Sequence, residues 1–153
     1  MQNHLIISKS ENMKKNRIIF WAATIVLSLW EGVMPAATLL FAPEYVNAGT
    51  KALGYPDYFA YALIISKILG IVAISLNKIP ATIKEWAYAG LAFNLIFAFI
   101  SHACVDGNPA YMLMPLIFLA LLAVSYRFRK WNVRKENVSA SGVASYDEIS
   151  AAQ

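Results

Sequence analysis

Four apolar stretches, each about long enough to cross a bilayer, constrain this chain more than any other feature. A membrane-spanning helix needs on the order of 20 mainly apolar residues. The stretches lie at about residues 18–41, 58–76, 86–103 and 111–126. They are continuous and lack the alternation of a barrel strand, so helices are expected. The connections, residues 43–56, 77–84 and 104–108, are short, and the first has room for a small interfacial helix. Short connections favour antiparallel neighbours. The expected fold is therefore all-α, an integral membrane four-helix bundle of up-down-up-down topology. Composition agrees, with 59% apolar and 14% charged residues, against about 45–50% and 25% in soluble domains.

Orientation follows from the cationic residues beside the spans. Lys9, Lys14, Lys15, Arg17, Lys78, Lys84, Arg127, Arg129, Lys130, Arg134 and Lys135 fall on one side, and only Lys51 on the other. Both termini are thus expected on the cytoplasmic side of an inner (plasma) membrane. Residues 1–17 would form a cytoplasmic N-terminal segment, 18–135 the transmembrane domain, and 136–153 a polar, mobile cytoplasmic tail. Pro35-Ala36-Ala37 resembles a signal-cleavage site. The apolar run continues through Leu39, Leu40 and Phe41, however, which suits an uncleaved span.

Ionisable groups inside spans are costly and normally face the bundle interior or a water-filled cavity. Glu31 lies about 20 Å from the inner end of span one, and Lys67 about 15 Å from the outer end of span two. Across about 30 Å of hydrocarbon their heights differ by about 5 Å, which a lysine stem covers. A buried Glu31–Lys67 pair is expected, since either charge alone is uncompensated. Pro35, four residues on, has no N–H and frees the Glu31 carbonyl. Thr24, Ser28, Glu31 and Pro35 together give span one a polar face. On span three, Ala87, Gly90, Asn94, Ala98 and Ser101 form a small-residue stripe suited to close helix packing, with Asn94 near the midplane. His102 falls near the outer boundary. Lys84-Glu85-Trp86 reads as a helix start at the lipid interface, with Trp86 as an aromatic anchor.

Several chemistries lack their residues. The single cysteine, Cys104, excludes an internal disulfide or a CxxC redox centre. Only one of two histidines lies near a span, so bis-His haem within one chain is excluded. No HExxH, P-loop or GxGxxG occurs.

The run Leu53-Gly54-Tyr55-Pro56 resembles the DoxX-like family of small four-helix membrane proteins. So do Lys67-Ile68-Leu69-Gly70, Lys84-Glu85-Trp86-Ala87-Tyr88-Ala89-Gly90, Ser101-His102 and Ser125-Tyr126, in that order between about Trp30 and Arg127. The resemblance implies recurring polar positions at Glu31, Lys67, Glu85, His102 and Tyr126. It also implies a link to membrane oxidoreductase complexes: the family takes its name from a subunit of a thiosulfate:quinone oxidoreductase. Distant animal relatives act as membrane chaperones. Without a cysteine pair, a sulfur-oxidising role is not expected here.

These readings converge on an accessory inner-membrane subunit of a redox system, without catalysis of its own, that binds a lipid-like molecule such as a quinone. Glu31, Lys67, Asn94, His102 and Tyr126 are the expected ligand-binding residues, with Met112, Met114 and Phe118 lining an apolar slot. Membrane lipid, a membrane oxidoreductase and further copies of the chain are the expected partners, with no nucleic acid. A small proton-coupled transporter is a rival reading, because such carriers also place a glutamate in their first span. A structural or assembly factor, in which the pair only fixes the fold, is another.

Overall fold

A computed structural model of the chain describes the backbone of residues 2–151 and the side chains of residues 14–130. The tail expected at 136–153 and most of the segment expected at 1–17 lie outside the described side chains. The described residues form helices and turns with no strand. Helix α1 (Gln2–Leu27) runs into a π-helical segment (Ser28–Val33) and then α2 (Met34–Phe41), and these three pieces make the first span. A 3-10 turn (Pro43–Tyr45) and the short α3 (Ala48–Ala52) fill the first connection, as its length allows. Helices α4 (Asp57–Ser75), α5 (Ala81–Val105) and α6 (Pro109–Ala151) follow.

Four helical stretches are long and apolar enough to cross a membrane: Lys14–Phe41, Asp57–Ser75, Ala81–Val105 and Pro109–Lys130. The shortest has 19 residues, about 29 Å of helix, close to the hydrocarbon thickness. Span three begins five residues earlier than the apolar run alone suggests. Pro80, at φ −55° and an extended ψ of 147°, caps the helix from outside it, and α5 starts at the next residue. Lys84 and Glu85 therefore lie one turn inside α5 rather than at its start.

The helices pack as a ring: α1 on α6, α6 on α5, α5 on α4, and α4 on the π-helical segment. All four spans contribute to one core of Leu27, Ile71, Ile74, Tyr88, Leu91, Leu95, Phe118 and Leu122. Large apolar side chains also cover the outside, with Phe41, Tyr58 and Trp86 among the most exposed. In water such a surface would aggregate; in a bilayer it faces lipid. Gly32 allows a close approach in this ring. A Cβ there would meet Ile71 Cγ2 at 3.0 Å, so a larger residue would press on α4 beside Glu31. Gly70 plays the same part against Leu91 of α5.

Candidate functional site

The first span breaks its helical register where its charge lies. Pro35 offers no N–H, and its ring would crowd the Glu31 carbonyl in a regular helix. The turn ahead of it widens instead. The Met34 N–H bonds the Leu29 carbonyl, five residues back, and Pro35 falls in the first turn of α2, where no N–H is needed. Widened turns of this kind recur at functional sites. This one carries Glu31 into the interior, where the residue is 3% exposed.

Lys67 of α4 meets it. Lys67 Nζ lies 2.9 Å from Glu31 Oε2, and Asn94 Nδ2 of α5 donates to the same oxygen across a longer 3.5 Å. One carboxylate thus gathers three spans. The pair is asymmetric: the Lys67 side chain retains 21% of its exposure against 4% for Glu31. Lysine exposes the remainder to a groove of about 460 Å³ between α4 and α5.

Small residues on both walls make that groove. Ala87, Gly90 and Asn94 of α5 face Ser66, Gly70 and Ala73 of α4. The stripe on α5 is thus only partly a close-packing surface, since a Cβ on Gly90 would touch nothing within 4 Å. The groove runs from Trp86 and Ala73 to Asn94 and Lys67, about 12 Å along α5. Trp86, 77% exposed, stands at its outer edge, so the groove opens sideways toward lipid. Its volume lies within the range of small-molecule sites, about 300–1,000 Å³. Neither Met112, Met114 nor Phe118 lines it. Phe118 instead stacks on Trp30 in the core, with ring centroids 5.2 Å apart.

His102 and Tyr126 belong to separate clusters. Asn94 and His102 are eight residues apart on α5, about 12 Å along its axis. There His102 Nδ1–H donates to Asp106 Oδ2 at 2.8 Å, and that bond holds the Asp106 carboxyl below its ordinary value. The neighbouring Ser101 hydroxyl bonds Tyr55 at 2.7 Å, tying the first connection to α5. Toward the other end of α5, Ser125 Oγ lies 2.8 Å from both Thr24 Oγ1 and Tyr88 OH. Three buried hydroxyls thereby join α1, α5 and α6. Beside them Arg129 pairs with Glu85, and its guanidinium lies over the rings of Tyr88 and Tyr126.

The sequence profile of the DoxX-like family matches residues 20–125, a stretch that holds spans two and three whole and most of spans one and four. The chain belongs to the DoxX-like family. No curated protein and no solved structure matches it significantly. Family and apolar helices together make it a multi-pass membrane protein. Among the described residues of this DoxX-like protein, no group of three His, Cys, Asp or Glu side chains could hold a metal ion.

Two features of the DoxX-like chain escape a sequence reading. The Thr24–Ser125–Tyr88 cluster joins positions 101 and 37 residues apart, and hydroxyls carry no signal that pairs them. Glu85 is flagged by the family resemblance, but its partner Arg129 reads only as one cation in a basic run. Counting charge for orientation hides which of those cations turns inward.

Proposed function

We propose that this DoxX-like protein binds a lipid-like molecule, of which a quinone is the leading candidate, in the α4–α5 groove, and serves as an accessory subunit of a membrane redox system. It does so with both termini cytoplasmic, in an up-down-up-down bundle of the inner membrane. The observation that carries the reading is the position of Lys67. It is held by Glu31 on one side and lines an apolar groove on the other. An ammonium has three donors, and the pair with Glu31 engages one of them. The others, with the Asn94 amide, can donate to a quinone carbonyl, while the small-residue walls and Trp86 accept the ring and tail. Entry from the side suits a ligand dissolved in the bilayer. The link to a redox partner rests on the family resemblance.

The transporter reading fits less well. Proton exchange needs a carboxylate without a standing partner, and Glu31 is engaged by the Lys67 ammonium at 2.9 Å. Proton flux into proteoliposomes that is driven by substrate and lost in Glu31→Gln would restore that reading. For the leading proposal, the full-length protein is purified and its co-purifying small molecules are identified by mass spectrometry. A quinone or similar lipid retained by the native chain and lost from Gly90→Leu, which fills the groove without touching the pair, is the expected result. Equal retention by both chains, or none by either after incubation with quinone, would refute it.

A further inference from the structure

The opposite flank of α5 carries a second groove that the central pair does not use. It measures about 280 Å³ and lies between α5 and α6. Glu85, Tyr88 and Tyr126 line one end; Ala92, Leu119 and Leu122 line the rest. From Glu85 to Ala92 is about 10 Å along the helix, so the groove is polar at one end and greasy at the other.

Three cations gather at the polar end. The Arg129 guanidinium lies 5.4 Å from the Tyr88 ring centroid and 5.7 Å from that of Tyr126. Lys130 Nζ lies 5.6 Å from the Tyr126 centroid. Lys84, 9% exposed, directly precedes Glu85 on α5. Glu85 answers Arg129. Among the described residues no carboxylate lies within 4.0 Å of Lys84 or Lys130. The Arg129 side chain is 10% exposed, yet its buried Nε–H has no acceptor among the described residues. Cations and donors left unanswered in a low-dielectric setting are costly, and an anion there would satisfy both.

We propose that this is a binding site for an anionic phospholipid. The headgroup phosphate is held by Lys84, Lys130 and the edge of Arg129, and an acyl chain lies along Ala92, Leu119 and Leu122. A phosphodiester is the anion that arrives at a membrane surface already joined to an apolar tail, and basic pockets between spans favour such headgroups. The site uses a different face of α5 from the α4–α5 groove, so it stands whatever that groove holds.

Native mass spectrometry of the full-length protein in detergent tests it, by titration with phosphatidylglycerol, with phosphatidylcholine of the same chains, and with inorganic phosphate. Phosphatidylglycerol should bind saturably and in preference to phosphatidylcholine. Lys84→Gln should weaken it about fivefold, the effect of one cation near a lipid surface. Ala92→Phe, which fills the apolar part, should weaken it as well, and Lys51→Gln, far from the cluster, should not. Arg129 is left intact because its loss would strand Glu85. Equal binding of the two lipids, or undiminished phosphatidylglycerol binding by Lys84→Gln, would overturn the proposal. So would inorganic phosphate competing with the lipid while Ala92→Phe has no effect, the signature of a soluble-anion site.

Discussion

Replacing Lys67 with methionine isolates the energetics of the central pair. The change keeps most of the side-chain volume and leaves Glu31, 4% exposed, with no ammonium at 2.9 Å. Breaking a buried pair from one side costs about 3–5 kcal/mol. The groove beside Lys67 admits some relief, so the lower end, about 3 kcal/mol, is expected for Lys67→Met. For a chain of this length that corresponds to a fall in Tm of about 6–12 °C. Glu31→Met should cost less, because the orphaned lysine can extend its head into the groove. The double variant Glu31→Met/Lys67→Met should recover most of the loss, since matched apolar replacements of buried pairs are often neutral. Thermal unfolding of the purified protein in detergent, followed by circular dichroism, reads all three variants. A Lys67→Met protein within about 2 °C of the parent, or a double variant no better than Lys67→Met, would refute this reasoning.

Three further outcomes follow from other parts of the bundle. Gly32→Ala should destabilise by about 1–3 kcal/mol through overpacking against Ile71, whereas Gly90→Ala, whose Cβ meets nothing within 4 Å, should be neutral or stabilising by up to about 1 kcal/mol; paired melting curves decide. Ser125→Ala removes the hydroxyl shared by Thr24 and Tyr88 and should cost about 1–2 kcal/mol, because two buried groups lose a partner at once; Val in place of Thr24 in that background should then cost little more. Asp106, depressed by the bond from His102, should titrate below an ordinary aspartate in a carbon-detected NMR titration. Its contribution to stability is present above the unfolded-state value and is lost as pH falls through the lower folded one; His102→Ala should move the titration upward.

The membrane-spanning architecture is legible in the sequence because length and hydropathy suffice for it. Glu31 and Lys67 are legible too, because each is an exception in an apolar span and helical rise alone sets their heights. Asn94 follows from the same arithmetic. Other features depend on rotation about the helix axes, which the sequence leaves weakly determined when all faces are apolar. Gly32 and Gly70 show this: both glycines are visible, yet only the assembled helices reveal that Ile71 and Leu91 press against them. The Ala87–Gly90–Asn94 stripe shows the converse, a surface suited to close packing that instead lines open space. His102 and Tyr126 carry chemistry on paper, but about 12 Å and more of helix separates His102 from the central carboxylate, and Tyr126 packs against Tyr88. Pro35 marks in the sequence only a freed Glu31 carbonyl, whereas the π-helical turn and its effect on where Glu31 points appear in the folded chain.

The central claim is that Lys67 and Asn94 head a lipid-accessible groove that takes a quinone. Trp86, at the edge of that groove, is a built-in reporter when Trp21, Trp30 and Trp131 are replaced by phenylalanine. Titration of this single-tryptophan protein with a short-chain quinone should quench Trp86 fluorescence saturably, and Lys67→Met or Gly90→Leu in the same background should abolish the saturable phase. Quenching that rises linearly with quinone, identical in all three proteins, would contradict the account.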